Sequence, residues 1–413
     1  MINANNEYYQ NGSINIRKDN DEWKNASDTC GVVSGDTPAP TPISYNKKDV
    51  NFYDYDGTVV ASYTTNEFVN ITDMPENPMH EGLIAQGWNW SLSDAKSYVA
   101  SYGKLEIGQM YVTDDGKTRL YITLTDGRTS PILHLYLHDN SELDIDWGDG
   151  STHNTFTSTD AGYISEKHDY VSAGDYVIAI AVTAGGFDLQ SSVGGVVSTI
   201  LWNGNSSTSS PDRTYNNSIK KVEIGTGVAT IGASAFLGCF SLATIAIPNS
   251  VTNIGASVFM ECYSLKSITI PEAVTIIGAN TFYYCSSLAI VTLPNSIASF
   301  GTYAFYSCVC LTAITIPNSL TSINYYAFQY CRSLVTIVIP NSVTDIKTDA
   351  FDSCYSLTTI SIPNSVISID RDAFDRCYSL AKITIDKTKG AIAGSPWGAI
   401  TNSPTYTQIV WNG

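Results

Sequence analysis

The chain has 413 residues, 43% of them apolar and 15% charged, and its 22 Lys and Arg against 39 Asp and Glu give a net charge of -17. That length suits about two to three domains, and the composition excludes a disordered chain. The longest clean apolar stretch, Tyr176 to Val182, is far below the ~20 residues that span a bilayer, so no membrane insertion is expected.

The charge is unevenly placed. Residues 1–218 hold 12 basic against 29 acidic side chains, and residues 219–413 hold 10 against 10. Neither half offers a basic footprint for a phosphate backbone, so no nucleic-acid partner is expected. Residues 1–25 are polar throughout and lack the apolar core of a secretory signal, which is expected to have been removed unless the protein leaves its cell by another route. The polar arm of residues 1–34 is too poor in apolar side chains to form a core and is expected to dock onto an assembly partner. Pro38, Pro40 and Pro42 make the segment to residue 44 a semi-rigid extended linker.

Residues 45–117 read as a small α+β region. Val50 to Tyr63 alternates around Asp56-Gly57, a hairpin signal. Ser91 to Tyr102, with a Ser cap and Gly103 as its stop, reads as a helix. Tyr111 to Leu124 around Asp114-Asp115-Gly116 reads as a second hairpin.

Further along, Trp147-Gly148-Asp149-Gly150 forms an aromatic-Gly-Asp-Gly turn, followed by His168-Asp169-Tyr170 and Gly174-Asp175-Tyr176-Val177. Over residues 118–190 this resembles the PKD-like immunoglobulin sandwich, with Ile145 where that family usually has a first tryptophan. The resemblance implies a spacer domain, here assigned to residues 118–204, that in some members binds carbohydrate or protein. Residues 205–218, rich in Ser and Asn, read as a hinge.

The second half is organised by a repeat. Cys239, Cys262, Cys285, Cys308, Cys331, Cys354 and Cys377 are each 23 residues apart without an insertion. A Phe stands three positions before each, from Phe236 to Phe374, and a Leu three positions after, from Leu242 to Leu380. The following segment, as in Thr244-Ile245-Ala246-Ile247-Pro248, reads as a short strand stopped by a proline that cannot donate to a ladder. A second apolar pair follows, Val251 and Ile254 in the first unit. One such unit buries too few side chains to offset the entropy of ordering its own backbone, whereas stacked units share their faces and fold. The expected object is a right-handed solenoid over residues 219–386, with a parallel sheet on one face and about 4.8 Å per rung. The glycine column Gly255, Gly278 and Gly301 gives way to Asn324, Lys347 and Asp370, so the later repeats are expected to turn differently.

These residues resemble the BspA-like leucine-rich repeat family, most fully from Ile247 to Leu265. The resemblance implies a microbial, surface-displayed recognition or adhesion protein without enzymatic activity. Ile200-Leu201-Trp202-Asn203-Gly204 and Ile409-Val410-Trp411-Asn412-Gly413 are near-copies that flank the array and read as terminal strands covering its open edges, the second within a cap of residues 387–413. The fold class is therefore mostly β, an α+β region and a sandwich followed by a capped solenoid.

His134 and His138 lie four strand residues apart, roughly 13 Å, too far to share an ion. Asp144, Asp146 and Asp149 suit either a loose calcium loop or a plain strand followed by its turn. The cysteine column reads as buried free thiols, because stacked rungs hold neighbouring Cβ atoms parallel and too far apart to bridge. Cys30 and Cys310 fall outside the column, and Cys30 is the thiol expected to react. No G-x-S-x-G, Walker glycine loop, G-x-G-x-x-G or H-E-x-x-H occurs, and neither enzyme activity nor cofactor is expected.

Core columns are fixed by packing, so recognition must use the exposed ones. Tyr283, Tyr284, Tyr303, Tyr306, Tyr325, Tyr326 and Tyr330 fall before the cysteine in three consecutive repeats and are expected to form one aromatic patch suited to a protein or a carbohydrate on a cell surface. They also suit simple shielding of the turns. The other candidate face is the ladder Thr269, Thr292, Thr315, Ser361 and Thr384. The functional expectation is a non-enzymatic adhesion protein, extracellular on a microbial cell surface. The alternative is a structural phage tail or virion subunit with host-recognition repeats, favoured by the missing signal, the polar arm and the reduced-looking cysteines.

Overall fold

The computed structural model describes residues 49–53, 59–79, 83–88, 92, 95, 96, 99, 105–113, 115–190, 192–193, 196–197, 199–202, 215–399 and 407–412, together with three short strands near the N-terminus. Those three, Glu7–Gln10, Ser13–Arg17 and Trp23–Asn25, pair antiparallel in a sheet of their own, so the expected arm carries β structure. The linker of residues 35–44, Cys30 and the tip of the Asp56-Gly57 hairpin lie outside the described residues.

Val50–Tyr53 and Val59–Tyr63 pair antiparallel as the alternation requires. Leu92, Ala95, Lys96 and Val99 are helical, within the expected helix. Both pack in a separate small core built from Val50, Phe52, Phe68, Ala95, Val99, Leu105 and Ile107. The second expected hairpin does not form. Leu105–Thr113 joins Val50–Tyr53 and Leu83–Trp88 in a four-stranded sheet, while Thr118–Leu124 pairs with Gly174–Ala184 and Ile219–Glu223 in another. The strands on either side of Asp115-Gly116 thus belong to different sheets, because long-range partners with buried faces outcompete a local one.

Residues 118–202 build two facing sheets around Leu120, Leu135, Ile145, Trp147 and Ile178. One has the strand order Asn154–Ser158, Ser141–Asp146, Gly174–Ala184, Thr118–Leu124, and the other runs from Gly162–Lys167 through Ile132–Leu137 to Phe187–Leu189. The Trp147 turn is locked by Gly148, whose φ is +76° and where a Cβ would lie 2.5 Å from the Val177 carbonyl oxygen.

Neither sheet stops at the sandwich. The first continues by antiparallel pairing of Thr118–Leu124 with Ile219–Glu223, which then pairs parallel with Thr244–Ala246, and the second continues in parallel register from Phe187–Leu189 through Val228–Ile231 to Asn253–Ile254. One apolar cluster runs from Leu120 to Ala399. Residues 203–214, most of the expected hinge at residues 205–218, lie outside the described residues, and the described elements on either side share continuous ladders.

The solenoid has two parallel ladders rather than the single sheet expected. One stacks the I-x-I strands, such as Ser267–Thr269 on Ile290–Thr292 and Thr359–Ile362 on Lys382–Ile385. The other stacks the second apolar pair, such as Ile276–Ile277 on Ser299–Phe300 and Asp345–Ile346 on Ser368–Ile369. Between them the seven phenylalanines form one column with adjacent centroids 5.2 to 5.8 Å apart. At Gly301 an added Cβ would meet the Ala279 amide nitrogen at 2.3 Å, so this column sets how closely the early rungs approach. Later the column changes role, and Asn324 donates its side-chain N–H to the Phe300 carbonyl at 3.2 Å.

The two ends are closed by different means. Gln408–Trp411 pairs parallel with Lys382–Ile385, as its motif implied, and the buried Trp397 fills the final turn. The matching motif at Leu201–Trp202 instead pairs with Ile132–Leu137, so the sandwich itself covers the first rung.

Candidate functional site

The turn preceding each cysteine carries two residues in the left-handed region. Ser234, Ser257, Asn280, Tyr303, Tyr326, Asp349 and Asp372 have φ between 54° and 60°, and a second column from Glu261 to Arg376 lies at 52° to 62°. This conformation costs a non-glycine residue about 1 to 2 kcal/mol. It is offset because it points each amide at the next rung: Tyr284 N–H donates to Tyr306 O at 2.8 Å, Tyr303 to Tyr325 at 3.1 Å and Tyr330 to Asp352 at 2.9 Å. Apart from the buried Ser234, Ser307 and Ser353, the non-glycine residues of these columns keep partial solvent exposure, and the columns form the variable outer face.

On that face six of the seven tyrosines join in one ring network. Tyr283 stacks on Tyr306 with centroids 4.6 Å apart, and Tyr303 stacks on Tyr326 at 4.5 Å. Tyr284 meets Tyr306 edge-on at 5.5 Å, and Tyr330 meets Tyr306 at 5.4 Å. These six are half-buried, whereas Tyr325 is 42% exposed and has no ring contact with the others among the described residues. Burial raises the phenol pKa of Tyr283, Tyr303 and Tyr306, so each stays protonated at neutral pH.

Sequence reasoning missed what borders the patch. Two columns change to aspartate in repeats six and seven: Asn280, Tyr303 and Tyr326 are followed by Asp349 and Asp372, and Tyr283, Tyr306 and Gln329 by Asp352 and Asp375. Asp352 is fully buried, and Arg376 reaches back one rung to it, with Nε on Oδ1 at 2.9 Å and a terminal nitrogen on Oδ2 at 2.5 Å. Gln329 Nε2 donates to the same carboxylate at 2.6 Å. The Arg376 guanidinium also lies 5.8 Å from the Tyr330 ring centroid, and that of Arg332 lies 5.6 Å from it. The signal was present in the column alignment, as tyrosine giving way to aspartate at constant spacing.

The threonine face is interrupted. Thr269 pairs with Thr292 and Ser361 with Thr384, but Thr315 meets Val338, which is 54% exposed.

The seven column cysteines are free and buried. Each thiol from Cys262 to Cys377 donates to the phenylalanine carbonyl 26 residues earlier, at 3.0 to 3.3 Å. Burial raises their pKa well above the usual thiol range. Cys310, outside the column, is disulfide-bonded. His134 bonds Ser165 Oγ and His138 pairs with Asp188, so the two histidines do not converge. Asp144 and Asp146 both face His153, while Asp149 accepts from His168 at 2.8 Å and caps Ser151. No cluster of three or more such ligands able to hold a metal occurs among the described residues, and no helix among them is long and apolar enough to cross a membrane.

Residues 212–335 and 298–396 match the model of the BspA type leucine rich repeat region, in six copies. Residues 212–396 are thus a BspA type leucine rich repeat region. The match does not extend to the sandwich, and the PKD-like resemblance rests on the Trp147 to Val177 motifs alone. No curated protein matches the chain. Among solved structures it is similar to a leucine-rich repeat protein of T. pallidum, at 30% identity over 39% of this chain and 78% of that one, with a TM-score of 0.38. It is similar to one from Bacteroides ovatus at 26% identity over 56% of this chain and 66% of that one, with a TM-score of 0.41. A leucine rich cell surface protein from Faecalibacterium prausnitzii is 27% identical over 43% of this chain and 63% of that one, with a TM-score of 0.33.

Proposed function

We propose that this is a non-enzymatic recognition protein, displayed outside the cell on a microbial surface, that attaches to a protein or carbohydrate on a target surface through the tyrosine face of its solenoid. The observation that carries the reading is the six-ring network on the outer turn columns of repeats three to five. Packing requires phenylalanine and cysteine in the core; it requires nothing larger than serine in the turn columns, where Ser257 and Ser307 hold the same backbone conformation. Large rigid aromatics there supply contact area at little entropic cost.

The family's repeat and the cell-surface neighbour support the location. The cysteines do too, contrary to their sequence-level reading. Buried thiols that cannot pair say nothing of the compartment, whereas the bond at Cys310 suits an oxidising one.

Replacing Tyr284 and Tyr330 with Ser, and Tyr306 with Gln, uses residues that the same columns already accept at Ser307, Ser353 and Gln329. Attachment to target cells should fall while the thermal transition moves little. Full attachment by the folded variant would transfer the function to the threonine face, and immunogold labelling confined to virus particles would replace the cell-surface location with the particle-subunit alternative.

A further inference from the structure

The molecule satisfies one of its own tyrosine–aspartate pairs with a guanidinium. Tyr330 and Asp352, on adjacent rungs, share Arg376, which sits over the ring and bonds the carboxylate. A second pair of the same composition lies on the same two rungs, three to four positions earlier in each turn; its members share one column, whereas Tyr330 and Asp352 stand in adjacent ones. Tyr326 and Asp349 are consecutive occupants of the left-handed column, 23 residues apart, with φ of 58° and 54°. Tyr303 covers one face of the Tyr326 ring, and the next position in the column beyond Tyr326 is the carboxylate-bearing one. Among the described residues no cation lies over Tyr326, and Asp349 makes no ion pair. The nearby cations are engaged elsewhere, Lys347 with Asp345, Arg371 with Asp372, and Arg376 with Asp352.

We propose that Tyr326 and Asp349 form a slot for an arginine side chain of a partner polypeptide, received as Tyr330 and Asp352 receive Arg376. This rests on the tyrosine-face reading above and names the chemistry of its partner. A cation between an aromatic face and a carboxylate gains from the ring quadrupole and from the charge together. The local field favours it: burial, then the neighbouring Asp352 and Asp372, raise the Asp349 carboxyl to about 6 against the opposing effect of Arg376, with Asp375 adding to the rise. An incoming guanidinium supplies the missing counter-charge. Stacked tyrosine faces are also poorly placed to receive a sugar ring, because Tyr283 and Tyr306, and Tyr303 and Tyr326, cover one another.

The probe is an end-blocked Gly-Arg-Gly-Arg-Gly peptide titrated against the full chain by ligand-observed NMR. Its counterpart carries citrulline, the neutral isostere of arginine. Asp349→Asn and Tyr326→Ser place in the column residues it already holds at Asn280 and Ser257. Each should weaken arginine-peptide binding about five- to tenfold, Asp349→Glu should restore part of it, and Asp160→Asn, an equal charge change on an exposed sandwich residue, should leave it unchanged. Equal binding of the citrulline peptide, or equal losses in Asp349→Asn and Asp160→Asn, would overturn the slot. On target cells, release of the tyrosine-face variant with full retention of Asp349→Asn would also overturn it while leaving the tyrosine face standing; full retention of both would remove both readings.

Discussion

Arg376→Met tests the polar link that closes the C-terminal rungs. Asp352 is fully buried, and Arg376 meets both of its oxygens. Removing one partner of a buried pair leaves an uncompensated charge, at a cost of about 3 to 5 kcal/mol. Two features reduce it here: Gln329 and Ser353 still donate to the carboxylate, and the Arg376 side chain is 39% exposed, so water can enter the gap. The expected loss is therefore about 2 to 3 kcal/mol. Because Arg376 stands in the seventh repeat and Asp352 in the sixth, the loss should be concentrated in the last rungs, as nearest-neighbour coupling requires. Urea unfolding of Arg376→Met, Asp352→Asn and the double variant supplies the cycle. The double variant should be less damaged than the sum of the singles by more than about 1 kcal/mol. Additive losses, or a single-variant change below about 0.5 kcal/mol, the range of an ordinary surface substitution, would refute the reasoning.

The column thiols should be inert to a thiol reagent in the native protein and all seven should react once it is unfolded in denaturant; early reaction of several would contradict their burial. Asp349 has a pKa raised to about 6, above its unfolded value, so the folded state holds the extra proton between about 4 and 6 and loses stability as pH rises through that window. Asp349→Asn should therefore be more stable than the parent at pH 8 and level with it below pH 4; a difference independent of pH would exclude the titration of this group as its source.

Much of this was legible in the residues because the repeat is a packing code. Phenylalanine, cysteine and leucine recur at fixed spacing, and each fills the same corner of the stack, so burial of Phe305 or Cys308 followed from position alone. The hairpin at Val50–Tyr63 was legible for a local reason, its alternation around a turn. The false hairpin at Tyr111 to Leu124 had the same local signal, but Thr118–Leu124 gains more by burying both edges against Gly174–Ala184 and Ile219–Glu223. Fusion of sandwich and solenoid was hidden for the same reason, since ladder partners 41 to 104 residues apart leave no local pattern. The second ladder was hidden by brevity, because two residues such as Ile276–Ile277 show no period. Tyrosine clustering could be read from columns; the left-handed backbone of those columns could not, because Ser, Tyr and Arg are unusual there.

The most direct test of the recognition account is hydrogen–deuterium exchange of the protein with and without its target cells, read by mass spectrometry. The account predicts slowed exchange in the turns of residues 302–307 and 325–330 and unchanged exchange in the strands Ser267–Thr269 and Thr359–Ile362. Protection of those strands with the tyrosine turns unaltered would contradict it.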